Sequence, residues 1–308
     1  MLDVLAVTVP VFLIIGAGYL AVWRSLFTQG QVDGLMVFTQ RFAIPCLLFL
    51  AMMRLDLAAG FDWRLLLSYY SGSLVCFAAG ILGTLLWLKR GAEDAVAVGF
   101  AAMFANTVLL GLPIAERAYG AESLAPNFTI IAFHAAFCYL VGISAMETVR
   151  AGGSGFFGGM ATVARKMSTN SLMIGVALGL LVNLTGLTLP APVVEAVDLI
   201  ARAALPAALF GLGGVLVQYR PEGDARGIAL CCGIALLLHP AWTWGMAALL
   251  DLGQGPVRAA VLTAAMAPGV NSYLFAAMHG RAVRISASSV LIGTAVSVVT
   301  VSGWLLVL

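Results

Sequence analysis

Long apolar runs alternate with short polar stretches along almost the whole chain. A helix needs roughly 20 mostly apolar residues to cross a bilayer. On that measure the pattern predicts ten spans, at about 3–23, 33–53, 65–88, 95–118, 124–147, 168–189, 193–218, 227–250, 257–279 and 285–308. Because backbone groups in lipid must be paired within their own segment, we expect helices. The sequence therefore predicts an all-α polytopic membrane protein.

A nine-residue motif occurs once in each half of the chain. Residues 41–49 read RFAIPCLLF and residues 202–210 read RAALPAALF, with five identical positions. The glycine-rich stretch 148–167 divides the spans five and five, which predicts a first repeat at 1–147, a cytoplasmic linker and a second repeat at 168–308. A unit of five spans starts and ends on opposite sides, so its copy must be inverted. Inverted repeats are typical of secondary transporters.

Composition and charge narrow the class and give an orientation. Hydrophobic residues make up 62% of the chain and charged residues 10%, against about 25% charged in soluble domains. The net charge of +2 without a basic tract predicts no nucleic-acid partner. Ten Lys and Arg residues fall on one side of the predicted spans and four on the other. The positive-inside rule then predicts a multi-pass protein of the inner (plasma) membrane with both termini outside.

Cysteine usage and motif searches exclude several chemistries. The five cysteines all lie in apolar stretches, which favours packing over a disulfide framework. No Walker motif is present, and no nucleophile stands at a suitable spacing from a base within the spans. The sequence therefore predicts neither an enzyme nor an ATP-driven pump, and no metal or other cofactor is expected.

Two of the predicted spans combine proline, glycine and asparagine in mid-span. Span 4 contains FANTVLLGLP (104–113) and span 9 contains MAPGVNSYLF (266–275), at matching places in the two halves. Proline removes a backbone donor, and half-helix N-termini exposed at a break would attract an anion. Ordinary kinks are the alternative, but paired interruptions favour a substrate site. The candidate binding residues are Asn106, Thr107, Gly111, Pro113, Pro268, Gly269, Asn271 and Ser272.

Two arginines lie inside predicted spans at equivalent positions of the repeat. A cation near the bilayer centre costs about 3 kcal/mol, so Arg41 and Arg202 need an explanation. Either could bind a substrate carboxylate, because a guanidinium suits bidentate recognition. Either could instead snorkel or brace the fold. Both interpretations stay open for Arg41, whereas Asp198, four residues before Arg202, favours a structural ion pair there.

Few groups in the spans could carry a coupling ion. The acids lie at span ends, among them Glu116, three residues after Pro113. His134 in span 5 is a titratable candidate, although a lone histidine in a bundle is more often structural. Hydroxyls such as those of Thr107 and Ser272 could contribute to a sodium site. Sodium or proton coupling is therefore left open.

Three motifs together resemble the auxin efflux carrier family. They are the [RK]-x-x-[IL]-P-x-x-L-F pattern of span 2, NTVLLGLP of span 4 and APGVNSYLFA of span 9. The family includes plant PIN carriers and bacterial permeases for malonate or malate. This chain is similar to the short bacterial members, because only 148–167 stands where plant carriers have a large cytoplasmic loop.

The resemblance implies a fold similar to sodium/proton antiporters and bile-acid symporters. Spans 4 and 9 would cross as broken helices in a transport domain of spans 3–5 and 8–10. Spans 1, 2, 6 and 7 would form a scaffold that dimerises, and transport would follow an elevator-like shift. By position, the residues at the crossing would be Asn106, Pro113, Pro268 and Asn271.

Together the residues and the resemblance predict a secondary transporter of small organic anions. The substrate would be a mono- or dicarboxylate such as malonate or malate, or an auxin-like acid. The expected partners are this small carboxylate, the lipid bilayer and a second copy of the chain. The alternative is a cation/proton antiporter or a sodium-coupled symporter of the same fold, which the scarcity of deep carboxylates makes weaker.

Overall fold

The computed structural model describes residues 2–55, 62–151, 170–219, 222 and 224–308, without the side chains of 2–5, 122 and 151. These residues form helices and connecting turns, with one isolated β-bridge among them. The α-helices are α1 (Leu2–Trp23), α2 (Gln29–Phe38), α3 (Ile44–Met53), α4 (Trp63–Leu86), α5 (Ala92–Met103), α6 (Leu112–Tyr119), α7 (Ala125–Ala151), α8 (Ser171–Thr185), α9 (Ala191–Arg202), α10 (Ala204–Leu216), α11 (Ala225–Gly233), α12 (His239–Leu249), α13 (Gln254–Ala264), α14 (Val270–His279) and α15 (Val283–Val307). The prediction of an all-helical polytopic membrane protein is confirmed.

Seven helical stretches within the described residues are long and apolar enough to cross a membrane. They are Ala6–Trp23, Gln29–Met53, Trp63–Leu86, Ala125–Arg150, Ala191–Leu216, Ala225–Leu249 and Val283–Val307. Predicted spans 4 and 9 are not among them because each is interrupted. Span 6 appears as the shorter helix α8. The ten-span inverted repeat therefore stays a prediction, and residues 152–167 of the predicted linker lie outside the described part.

At each of three prolines, one wide π-helical turn lies just before the proline, and the helix does not end there. Each follows a five-residue π-helical stretch by two positions, at Pro45, Pro113 and Pro240. In each case the residue before the proline donates its N–H to the carbonyl five residues earlier. Proline cannot donate and its ring crowds the preceding turn, so one extra residue in the turn relieves both problems. The helical path then continues beyond the proline.

The chain forms two compact units. The first unit comprises Met1–Val9, Asp62–Val163 and Tyr219–Leu308, and the second comprises Pro10–Phe61 and Ala164–Gln218. The first unit therefore holds α4–α7 and α11–α15, which include both interrupted helices. The second unit holds α2, α3 and α8–α10 with most of α1.

Helices of the second unit approach each other closely at glycines. A Cβ added to Gly18 on α1 would overlap the carbonyl oxygen of Phe210 on α10. A Cβ on Gly179 of α8 would likewise overlap the carbonyl of Phe49 on α3. Small residues allow backbones of membrane helices to pack by van der Waals contact. The Asn183 amide adds polar contacts here, since its Nδ2 lies 2.7 Å from the carbonyl oxygen of Leu55.

Candidate functional site

The predicted fourth span is interrupted directly after α5. Helix α5 ends at Met103, and Phe104, Ala105 and Asn106 are not helical. The helix resumes at Thr107 with a π-helical turn that ends at Gly111, and α6 follows with Pro113 as its second residue. The side chains from Thr107 to Pro113 are largely buried. The Phe104 N–H still bonds to the carbonyl of Phe100, and the chain then leaves the helix until Thr107 in the interior of the first unit.

The ninth span is interrupted in the same way, and the two interruptions are paired. Helix α13 ends at Ala264 and α14 begins at Val270, with Gly269 extended between them. Ala105 and Pro268 form an antiparallel β-bridge. The Asn106 N–H donates to the carbonyl oxygen of Ala267 and the Gly269 N–H donates to that of Phe104, each at 2.8 Å. We call this pairing of residues 104–106 with 267–269 the crossing.

Two buried polar groups at or next to the crossing have no partner in the part of the chain that the structure describes. The Asn106 side chain is 5% exposed and its Nδ2 lacks an acceptor among the described residues. Ser272, in the first turn of α14, is 0% exposed and its Oγ is likewise unpaired. Because an unmade hydrogen bond in a buried site costs about 1–3 kcal/mol, such groups need a partner that the described chain does not supply.

His134 supports the crossing from helix α7. It is buried, and its Nε2 lies 3.2 Å from the carbonyl oxygen of Ala105. A carbonyl can only accept, so Nε2 carries the proton in this arrangement. Its Nδ1 lies 3.5 Å from the Tyr69 hydroxyl, which can donate to it. The predicted coupling residue is therefore positioned to hold the interrupted backbone, and its coupling role stays untested.

Tyr139, a residue that the sequence did not single out, contacts the same region. Its hydroxyl donates to Oδ1 of Asn271 at 3.2 Å. Asn271 lies in the first turn of α14 and is half-buried. The only sequence signal was a tyrosine hydroxyl in an apolar span, five residues after His134. Its partner lies 132 residues away, which spacing along one helix cannot reveal.

The outer ends of the interrupted helices are joined by an ionic network. Glu93, at the start of α5 and outside the predicted span 95–118, lies 2.9 Å from Nε of Arg150 and 3.1 Å from Nε of Arg281. Arg150 lies in the last turn of α7 and Arg281 follows α14. The hydrogen bond from Arg150, followed by that from Arg281, holds the pKa of Glu93 below its ordinary value. The network thus connects three helix ends on one side of the crossing.

The remaining predicted site residues lie elsewhere. Glu116 is half-buried on α6. Arg41 and Arg202 belong to the second unit. The predicted ion pair is confirmed, because Nη2 of Arg202 lies 2.7 Å from Oδ2 of Asp198. Among the candidates, the crossing brings together Asn106, Thr107, Pro268, Gly269, Asn271 and Ser272 with the adjoining turn of Gly111 and Pro113.

Comparison with known proteins assigns the chain to a family. A family model described as membrane transport protein matches residues 3–154 and 159–305. The chain belongs to this family, the auxin efflux carriers. The match covers nearly every residue and confirms the resemblance seen in the three motifs. The protein is therefore a multi-pass membrane transporter and not an enzyme.

Two relatives align with nearly the whole chain. A Rhizobium meliloti (strain 1021) protein named "Putative malonate transporter" is 27% identical over 311 residues, which cover 99% of this chain and 96% of that protein. The Mus musculus protein "Lysosomal cholesterol signaling protein" is 27% identical over 325 residues. That alignment covers 96% of this chain but only 36% of the mouse protein. This chain thus aligns with nearly the full length of the bacterial protein and with about a third of the mouse protein.

Proposed function

We propose that this transporter carries small organic anions by an elevator-type alternating-access mechanism. The substrates would be mono- or dicarboxylates such as malonate or malate, or an auxin-like acid. The name of the Rhizobium meliloti relative favours the dicarboxylate class. The observation that carries the proposal is the crossing, with Asn106 Nδ2 and Ser272 Oγ buried and unpaired beside it.

The chemistry of the crossing suits an anion. Asn106 Nδ2 and Ser272 Oγ can both donate hydrogen bonds to a carboxylate. Helix α14 begins at Val270, and the first N–H groups of a helix have no partners within it. Its positive dipole end also favours negative charge. A carboxylate at this place would satisfy groups that otherwise stay unpaired in a buried setting.

The 161-residue spacing supports the proposal of two inverted five-helix repeats. Asn106 and Ala267 are 161 residues apart, as are Arg41 and Arg202, and Asn106 and Ala267 are hydrogen-bonded to each other. If a two-fold axis relates two segments and passes between them, the residues that face each other across the axis are equivalent ones. Asn106 and Ala267 would be equivalent under the 161-residue repeat, and they face each other at the crossing.

A pair of glycine contacts in the second unit supports the same repeat. Adding 161 to Gly18 gives Gly179, and adding 161 to Phe49 gives Phe210. Gly18 lies against the carbonyl of Phe210, and Gly179 lies against the carbonyl of Phe49. The two contacts are therefore exchanged by the repeat, as expected for inverted copies that pack around a common axis.

The proposal extends to the organisation of the transporter. Spans 3–5 and 8–10 would form the moving transport domain, and spans 1, 2, 6 and 7 a scaffold through which two copies dimerise. The division of the chain into two compact units is consistent with this grouping. The positive-inside distribution favours the inner membrane with both termini outside. The proposal does not specify the coupling ion, and the transport experiment below distinguishes sodium from protons.

Transport of labelled malonate into proteoliposomes tests the function. We expect saturable uptake that Asn106→Ala and Asn271→Ala reduce at least tenfold, and lower malonate affinity of the purified Asn106 variant. Asn127→Ala is the matched control, because Asn127 is equally buried but its Nδ2 is already bonded to Oγ1 of Thr263 at 2.8 Å. Substrate affinity should persist in that control.

The same vesicles separate the competing functions. Uptake measured with and without a sodium gradient, and with and without a pH gradient, identifies the coupling ion. Sodium-driven pH changes in the absence of any organic acid would favour the antiporter alternative. Normal transport by both Asn106 and Asn271 variants would exclude the crossing as the substrate site.

A further inference from the structure

The two arginines that the repeat makes equivalent have different surroundings. Arg202 is paired with Asp198, which lies one turn earlier on α9. The position 161 residues before Asp198 is Val37, so Arg41 has no carboxylate one turn earlier. Arg41 is exposed and makes no hydrogen bond or ion pair with any residue that the structure describes. Its charge is therefore not balanced by the described chain.

Arg41 contributes to a groove within the second unit. The groove has a volume of about 400 Å³, a size typical of small-molecule sites. Beside Arg41 and the Ser171 hydroxyl, its lining is apolar or weakly polar: Phe42, Pro45, Cys46, Phe49, Ile174, Gly175, Leu178 and Val197. One positive charge thus borders a surface that is otherwise suited to hydrocarbon.

The packing of α8 on α3 places the charge at one end of the groove. Gly175 contacts Pro45, and farther along both helices Asn183 contacts the carbonyl of Met52. The two helices therefore run in the same direction. Arg41 and Ser171 each precede these contacts by one turn, at the same end. From there the apolar lining extends to Phe49, eight residues or about 12 Å along the helix.

This geometry selects a ligand with one negative head and one apolar tail. A guanidinium binds phosphate or carboxylate oxygens in a bidentate manner. A dicarboxylate would leave its second charge against apolar side chains, because Arg41 is the one charged residue among the described residues that line the groove. We infer that this groove binds an anionic phospholipid, with its phosphate at Arg41 and Ser171 and an acyl chain along the apolar lining of the groove.

The depth of Arg41 is compatible with a lipid headgroup. Polar residues Gln29, Gln31 and Asp33 precede the apolar run of this span. Arg41 follows Asp33 by eight residues, or about 12 Å of helix. Its long side chain can extend back toward the headgroup level. Juxtamembrane and interhelical basic sites are known to bind anionic lipids in this way. The inference does not depend on the proposed substrate or mechanism.

Native mass spectrometry of the full-length purified protein tests the inference. Phosphatidylglycerol and phosphatidylcholine with identical acyl chains are added at equal concentrations. We expect the wild type to retain phosphatidylglycerol about tenfold more strongly, because the choline cation of phosphatidylcholine offsets the attraction between its phosphate and Arg41. Arg41→Gln should reduce this preference to within about twofold. Arg202→Gln is the matched control, because that charge is already paired, and it should keep the preference.

Two further measurements decide other outcomes. Arg41→Lys retains the charge and should keep part of the preference, which shows the effect even if Arg41→Gln folds poorly. Leu178→Gln should weaken retention of both lipids by making the tail site polar. An unchanged preference in Arg41→Gln, or an equal loss in Arg202→Gln, would overturn the inference. Displacement of bound phosphatidylglycerol by malonate would instead assign the groove to the transported anion and also overturn it.

Discussion

Backbone segments from the two halves of the chain come into direct contact at several places, among them one in each unit. In the second unit, Gly18 on continuous helix α1 lies against the Phe210 carbonyl of continuous helix α10. In the first unit, Ala105 and Pro268 meet where two helices are interrupted. Both contacts are buried in a protein that crosses a membrane. They differ in what happens to the backbone hydrogen bonds.

The glycine contact joins two helices that stay helical on both sides of it, so it exposes no backbone groups to a ligand. The crossing gives up helical bonds and replaces some of them with bonds between the two segments, at 2.8 Å. Irregular backbone at membrane depth is tolerated where it is buried in protein or lines a cavity. Close approach alone therefore makes a packing contact, whereas interrupted helices leave polar groups that can bind a solute.

The largest effect is expected from filling the glycine contact. A Cβ at Gly18 would overlap the Phe210 carbonyl, and the backbone must shift to relieve it. Overpacking of this kind costs about 1–3 kcal/mol, so Gly18→Ala should lower the Tm by several degrees. Gly16→Ala, on the same helix with nothing within 4 Å of an added Cβ, should leave the Tm unchanged or raise it.

Malonate affinity in the Gly18 and Gly16 variants tests whether the glycine contact is purely structural. If the glycine contact is only structural, the folded fraction of Gly18→Ala binds malonate as tightly as the wild type. A changed malonate affinity together with an unchanged Tm would mean that this contact takes part in binding, and the distinction between the two regions would fail.

The next effect concerns two buried serines of the first unit. Ser272 Oγ has no partner among the described residues, whereas Ser297 Oγ donates to the Thr294 carbonyl within its own helix at 2.7 Å. If Ser272 binds the substrate, Ser272→Ala should weaken malonate binding about tenfold, the equivalent of one hydrogen bond to a charged group.

Calorimetric titration of malonate into purified protein measures this difference. Ser297→Ala serves as control, because it removes the same atom from an equally buried site, and its malonate affinity should stay within about twofold of the wild type. Equal losses in both variants would indicate a general loosening of the first unit instead of a substrate contact.

Part of this architecture could be predicted from the sequence because particular residues force it. Pro268 cannot donate a helical hydrogen bond and Gly269 adopts an extended conformation, so an interruption near them follows from residue type. Pro113 was a weaker indication: it is absorbed by a π-helical turn, and the break occurs seven residues earlier at Asn106. Apolar periodicity alone could not distinguish these two outcomes.

Contacts between distant segments were harder to predict. The 161-residue offset placed Asn106 opposite residue 267, and that backbone pair is bonded. The side chains around it came from α7, where His134 and Tyr139 stand among apolar residues without any motif. Nor did the sequence reveal that Arg41 faces a groove while Arg202 has a partner, beyond the presence of Asp198. Tertiary packing decides which face of a helix is covered. A uniformly apolar sequence gives no pattern from which that face can be read.

A moderate effect is expected when the support of the crossing from α7 is removed. His134→Leu deletes the donor that lies 3.2 Å from the Ala105 carbonyl, which should cost about 1 kcal/mol of stability and lower the maximal rate of malonate transport. His134→Gln can still donate and should retain much of that rate. Rates are measured in proteoliposomes at several pH values.

The pH profile distinguishes support from proton coupling at His134. If the residue only donates to the Ala105 carbonyl, the Gln variant keeps the pH dependence of the wild type. Loss of pH dependence in the Gln variant with an unchanged malonate affinity would show instead that His134 carries the coupling proton. Equal rates in the Leu and Gln variants would exclude a role for the donated hydrogen bond.

The smallest effect concerns the outer ends of the interrupted helices, away from their polar centre. Arg150 and Arg281 hold the pKa of Glu93 below its ordinary value. A lowered folded-state pKa stabilises the protein above the ordinary glutamate pKa of about 4.3, and this contribution is lost as the pH falls through the folded pKa. Glu93→Gln should therefore lower the Tm slightly at pH 7, and its difference from the wild type should shrink below about pH 4.

Asp33→Asn is a suitable control, because Asp33 is an exposed carboxylate of the second unit without an ion pair among the described residues. A Tm difference that is the same at both pH values would mean that the Glu93 charge does not hold α5 to α7 and α14, and that the crossing is fixed by its centre alone.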